Sequence, residues 1–300
     1  MTFKSELYYR IPCALGEGPV WDGENGALYW IDGLGNHWHR LNADGRLDSF
    51  DTPCAIGALV LANDGGAVMS LQDGIYKLDL HAGALSLLVN PEVGVSGNRF
   101  NDAKADPKGR LLVGSMSTLA NDGGDAPRVG RLYTINAAGE FTSRIGGIGI
   151  SNGLDWSADG KKLYYVDSLT GGVQYFDYDP ETGALENGRF CAHIPETEGI
   201  PDGMCIDAEG MLWVAQWGGW CVSRWNPATG ECIGKVEVPV EHVTCCAFGG
   251  EKLDKLFITT STSGVEGDEW SRQPLAGSVF VADVGVSGGK VYRFEGSTVQ

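Results

Sequence analysis

The sequence predicts an all-β protein, a six-bladed β-propeller with an axial metal site. Three observations predict the fold. A segment recurs six times, starting near residues 17, 58, 101, 152, 202 and 245, a spacing of roughly 41 to 51 residues; that period belongs to propeller blades or helical arrays. Each copy is made of short aromatic and β-branched runs between turn clusters such as DGEN, NADG, NDGG, DPKG, SADG and DPETG. No stretch holds a 3.6-residue apolar period long enough for a helix. Six units of about four strands, closed into a ring, protect their strand edges. Residues 1–300 are read as one such domain.

The copies follow in order. The first holds Glu17 in GEGPVWD and continues, after Gly26, with ALYWI. The second is ALVLANDGGAVMSL from Ala58. The third runs from Asn101 through NDAKADPKG to RLLVG, the fourth from Asn152 through NGLDWSADG to KKLYYV, and the fifth from Asp202 through DGMCIDAEG to MLWVA. The sixth is CAFGGEKLDKLFITT, beginning at Cys246. Ring closure is expected to pair Glu6–Arg10 with the last blade, drawn from Ser278–Asp283 and Lys290–Phe294.

Glu17, Asn101, Asn152 and Asp202 sit at the same phase of the repeat. A glycine follows eight residues later in three of them (Gly109, Gly160, Gly210) and nine later in the first (Gly26). Equivalent positions in a ring become equivalent positions in space, so two carboxylates and two carboxamides would point at a common axis. Asn and Asp before glycine turns often cap their own backbone instead. Turn formers, however, would be spread over all six repeats, and repeats two and six offer only Gly57 or Ala58 and Thr244 to Cys246 here. Such oxygen donors suit Ca²⁺, Mg²⁺ or Mn²⁺ better than soft-ligand metals. A bound cation polarises a carbonyl and lowers the pKa of bound water. Asp202 doubles as a candidate proton acceptor, and the set points to ester or lactone hydrolysis.

Composition narrows the rest. A formal net charge of −17 disfavours nucleic acid and anionic membrane surfaces as partners. The N-terminus MTFKSELYYR has no long apolar region and no 18-residue apolar span occurs, so a soluble, cytoplasmic protein without membrane association is expected. The eight cysteines show no CxxC spacing and are expected reduced and partly buried, with Cys245 or Cys246 placed to face the channel. The five histidines form no metal pair or catalytic triad, and no GxSxG elbow, P-loop or dinucleotide fingerprint is present.

GEGPVWD, NRFNDAKADPKGRLLVGSM, SNGLDWSADGKKLYYVDS, PDGMCIDAEGMLWVAQWGG and TTSTSGVEGDEWSRQPLAGSVFVADVGVSG resemble, in order, the signatures of the regucalcin/gluconolactonase family of sugar lactonases, from about residue 13 to 285. The resemblance implies one divalent cation in the axial channel. Glu17, Asn152 and Asp202 would be its ligands, and Asn101 would be a further ligand or a substrate contact. It also implies Asp202 as general base and Arg99 as a binder of substrate oxygens, on a small-molecule sugar lactone. Leu119 departs from the pattern: it stands near the place of an acidic substrate contact, with Asn121, Asp122 and Asp125 nearby, so Leu119 and Asn121 are taken as substrate-side residues. Trp217 and Trp220 are placed to stack on a sugar ring or to pack between blades.

The expected reaction is cation-assisted opening of an aldonolactone to the aldonic acid, in oxidative sugar catabolism. The cation could be Ca²⁺, Zn²⁺, Mn²⁺, Mg²⁺ or Fe²⁺. Oligomeric state is not legible. Two rivals stay open, because propellers host many functions: the same site acting on another ester or a phosphotriester, and a non-catalytic calcium-binding propeller.

Overall fold

The computed structural model describes residues 1–119 and 127–296, and the six repeats form six four-stranded antiparallel sheets. Each opens on its innermost strand: Gly16–Asp22, Ile56–Leu61, Asn98–Ala105, Ser151–Trp156, Ile200–Ile206 and Val243–Gly249. These six pack in cyclic order, the sixth against the first, and enclose a central channel. The remaining strands step outward in sequence order, except that the outermost strand of the last blade comes from the beginning of the chain. All inner strands therefore begin at one end of the ring, the upper face, which also carries the connections between second and third strands. Turns between first and second strands make the lower face.

The lower turns explain the recurrent glycines. Gly26, Gly109, Gly160 and Gly210 have φ of +61°, +80°, +68° and +80°, where an L side chain would be strained. In two of these turns a buried aspartate accepts backbone N–H groups: Asp106 from Lys108 and Arg110, Asp207 from Glu209 and Met211. In these lower turns Asx residues thus take their turn-capping role.

Apolar faces meet between blades, so the core is six interblade layers rather than one centre. Trp30, Trp38, Trp156 and Trp213 are fully buried there, each such side chain contributing roughly 1.5–3 kcal/mol or more. At the junction of the first and last blades, Leu28 and Trp30 pack on Phe257 and Val279. Among the described residues the α-helical content is one four-residue turn, Glu269–Arg272, and no helix is long and apolar enough to cross a membrane.

Closure follows the expectation in its main part. Glu6–Tyr9 pairs antiparallel with Val279–Asp283 as the outermost strand of the last blade, with Glu6 opposite Val281 and Leu7 opposite Phe280. Just before it, Thr2–Lys4 adds a parallel fifth strand to the fifth blade, which the sequence does not foretell. Lys290–Phe294, by contrast, is no strand of the last blade. That sheet's outer edge is already occupied by Glu6–Tyr9, and the tail runs across the lower face instead. Gly289 N–H donates to Ile206 O, Arg293 pairs with Asp22, and Phe294, fully buried, donates its N–H to Leu61 O and accepts from Asn63.

Candidate metal centre and active site

Every inner strand has a register shift near its upper end. An extra residue there bends the strand and re-aims its side chains. In the third, fourth and fifth blades the shifts lie between Phe100 and Ala103, Ser151 and Leu154, and Pro201 and Met204, so Asn101, Asn152 and Asp202 are the first bulged residues. The second bulged residue is Gly153 or Gly203 in two of them. A Cβ there would lie 2.5 Å from Met204 N or 2.3 Å from Cys245 Sγ, so the neighbouring inner strand leaves room for hydrogen alone. The third blade places Asp102 there instead.

Glu17 corrects the expected phase. Its blade shifts between Glu17 and Val20, so Gly18 and Pro19 hold the bulge and Glu17 stands one residue before the phase of the other three. That offset is why its glycine follows nine residues later rather than eight. The longer glutamate side chain still lines the same cavity as Asn101, Asn152 and Asp202.

That cavity, about 160 Å³, opens at the upper end of the channel. Its floor is polar: Glu17, Arg99, Asn101, Asn152, Ser168 and Asp202. Asn152 Nδ2 donates to Ser168 Oγ at 3.0 Å, which turns Asn152 Oδ1 the other way, toward Asn101 Nδ2 at 3.4 Å. Asn101 Nδ2 also donates to Ser151 O at 2.7 Å, and its Oδ1 accepts from Arg99 Nη1 at 2.7 Å. Arg99 and Asn101 therefore act as one unit beside the three other donors. The loops entering two of these strands are anchored by aspartates ending the second strands: Asp32 accepts from Ala14, Leu15 and Gly35, and Asp167 from Gly149, Ile150 and Leu169.

The electrostatics favour a cation. Burial, then the charge of Asp102, pushes the Glu17 carboxyl up to about 8, against the Gly18 N–H and Arg99. Burial, then Glu17 and Asp102, drives Asp202 well above the ordinary carboxylate range. Asp102 itself is raised to about 6 by burial, opposed chiefly by Lys104. Three carboxyls thus converge on a channel whose counter-charges are Arg99 beside Glu17 and Asp202 and Lys104 beside Asp102, a poor arrangement for anions that a divalent ion would neutralise. Among the described residues no three His, Cys, Asp or Glu side chains form a metal cluster; the donor set here is two carboxylates and two carboxamides. The residues fit a hard cation.

The other residues singled out in the sequence fall on both sides. Leu119 is 74 % exposed and is not part of the cavity lining, because the second strand of its blade ends at Ser117 and the chain has already turned outward. Asn121, Asp122 and Asp125 lie outside the described residues. Trp217 lines the cavity, stacked on His242 at 4.1 Å, whereas Trp220 does not reach it and is 41 % exposed. Cys245 is the cysteine beside the carboxyls, next to Gly203; Cys246 faces the interblade core, with its Sγ 3.7 Å from that of Cys205.

Sequence reasoning misses Asp102, Ser168 and the apolar upper wall. Ser168 has one signal: it follows the aspartate that ends the second strand. Replacing it with Ala should leave folding intact, free Asn152 to rotate, and weaken cation binding about 10- to 100-fold; calorimetric titration would show it, and unchanged affinity would remove Ser168 from the site. A larger groove of about 690 Å³ lies between the first two blades at the lower face, lined in part by Arg40, Asp44, Asp79 and His81. It gathers turn residues, with Asp79 capping His81 and Ala82, and no convergent donor set.

A six-bladed propeller with one polar-floored axial cavity, built from bulged inner strands, is the class this structure defines. The chain belongs to the SMP-30/gluconolactonase/LRE-like family, whose model matches residues 15–262. It is 36 % identical over 289 residues to regucalcin of Xenopus laevis, covering 96 % of this chain and 97 % of that one. It is also 36 % identical over 283 residues to the Bacillus subtilis (strain 168) protein named "Putative sugar lactone lactonase YvrE", covering 94 % and 95 %. The crystal structure of a calcium-binding protein, regucalcin, from Agrobacterium tumefaciens superposes with a TM-score of 0.91 at 28 % identity, covering 100 % and 99 % of the two chains.

Proposed function

We propose that this protein hydrolyses a sugar lactone to the corresponding aldonic acid with the help of one divalent cation. The observation that carries the reading is the convergence of Glu17, Asn101, Asn152 and Asp202, from four different blades, on a single cavity open to solvent. Family membership supports the lactone as substrate class. Glu17, Asn152 and Asp202 would hold the cation, with Asn101 at its side. When bound, the cation supplies Lewis acidity and balances the buried negative charge.

The chain's own groups do the rest. Asp202 takes the proton of the attacking water on its carboxylate oxygen, a role typically worth about 10²–10⁴ in rate. Arg99, steadied by Asn101, donates to oxygens of the sugar and fixes its approach. Ser168 keeps the Asn152 carbonyl turned toward the channel. A single indole, Trp217, among the described lining residues gives little of the aromatic surface that an aryl phosphotriester would need.

The test is lactone hydrolysis by metal-stripped protein, followed by add-back of Ca²⁺, Zn²⁺, Mn²⁺, Mg²⁺ or Fe²⁺. The panel holds pentono- and hexonolactones, with spontaneous opening subtracted. The expected outcome is loss of turnover on stripping and recovery with one or more of these ions. Tight binding of an ion without turnover on any lactone would overturn the reading in favour of a non-catalytic propeller or another ester.

A further inference from the structure

The cavity is chemically divided, and its upper half says which lactones fit. Above the polar floor its wall is formed by Leu15, Leu34, Met116, Ile150, Ile200 and Trp217, contributed from both sides of the ring. The described polar groups near that wall are few: the Ser263 hydroxyl, the indole N–H of Trp217 and, at the floor's edge, Ser168, whose Oγ accepts from Asn152. Three exposed apolar side chains, Val95, Leu119 and Val129 (52 %, 74 % and 48 %), stand on the same face on the described parts of the connections around the third blade. A fully hydroxylated sugar carries a hydroxyl on nearly every carbon beyond the carbonyl. Arg99 and Asn101 can match those near the floor. Each hydroxyl pressed on the aliphatic wall loses its water without gaining a partner, at about tenfold in affinity apiece.

We infer that the lactone preferred by this site has an unhydroxylated edge: a deoxy- or alkyl-substituted sugar lactone. Its polar lactone end faces the floor, and its methyl or alkyl end lies against Leu34, Ile200 and Trp217. The inference rests on the lactonase reading and sets its substrate class. Leu34 is the specificity-determining residue most open to test, since it is 53 % exposed on the connection after Asp32 and its replacement does not disturb a core layer.

The experiment compares kcat/KM of the cation-loaded protein on a hexonolactone and on its 6-deoxy counterpart, then repeats the pair with Leu34→Asn. The expected result is a preference of at least about tenfold for the deoxy compound, which Leu34→Asn reduces several-fold by raising KM for the deoxy compound. Equal or inverted preference, with clear turnover of the hydroxylated lactone, overturns the inference and leaves the lactonase reading standing. A preference unmoved by Leu34→Asn overturns the assignment of that wall as its cause. Absence of turnover on both compounds and on simple alkyl lactones overturns the lactonase reading, and the inference with it.

Discussion

Asp202→Asn should lower turnover by about 10²–10⁴ while the protein keeps its fold and much of its cation. Asparagine has nearly the volume of aspartate, so the 7 %-exposed bulge position between Pro201 and Met204 is refilled without a cavity. Its carbonyl oxygen can still serve as a ligand, the role proposed for Asn152 in the neighbouring blade. What disappears is the basic oxygen that accepts the proton of water. The measurement is kcat at saturating cation together with a direct metal count. Near wild-type turnover at full occupancy would show that Asp202 is a ligand only and that the proton goes elsewhere.

The propeller was legible because the blades repeat the same local necessities: a left-handed glycine in each lower turn, an apolar second strand and, in some of them, an aspartate that caps the turn. The convergence of the candidate residues was legible in part for a related reason, since a bulge recurs near the upper end of the inner strands and Asn101, Asn152 and Asp202 take its first place. Glu17 was misphased because a sequence alignment counts residues and the structure counts ladder pairs; the inserted Gly18-Pro19 is visible only in the register. Lys290–Phe294 reads as a strand in KVYRF, yet a strand needs a free edge, and the residues that took that edge lie at the other end of the chain. Ser168 and the apolar wall escaped for a third reason. They come from connections on separate blades, and no local pattern marks residues that meet only when the ring closes.

Cation binding should strengthen as pH rises from acid through about 8, where Glu17 gives up its proton. Without a cation, burial and mutual repulsion hold Glu17 up at about 8 and Asp202 well above its ordinary range, so at neutral pH the empty site carries protons that a cation must displace. Each displaced proton makes the apparent affinity change by up to about tenfold per pH unit. The sign for stability runs the other way in the empty protein. A carboxyl whose folded pKa is raised stabilises fully below its unfolded value, and that contribution is lost as pH climbs through the folded one. Chelator should therefore lower Tm more at pH 8 than at pH 5.5, because only the bound ion can offset the charges that deprotonation creates. Glu17→Gln keeps an oxygen but removes one titrating charge: affinity should fall, as ligand charge count dictates, and the pH slope should flatten. Calorimetric titration at three pH values, in buffers of different ionisation enthalpy, reads affinity and proton release together. An affinity that does not move between pH 6 and 8, with no protons released, would show that the ion does not bind at Glu17 and Asp202.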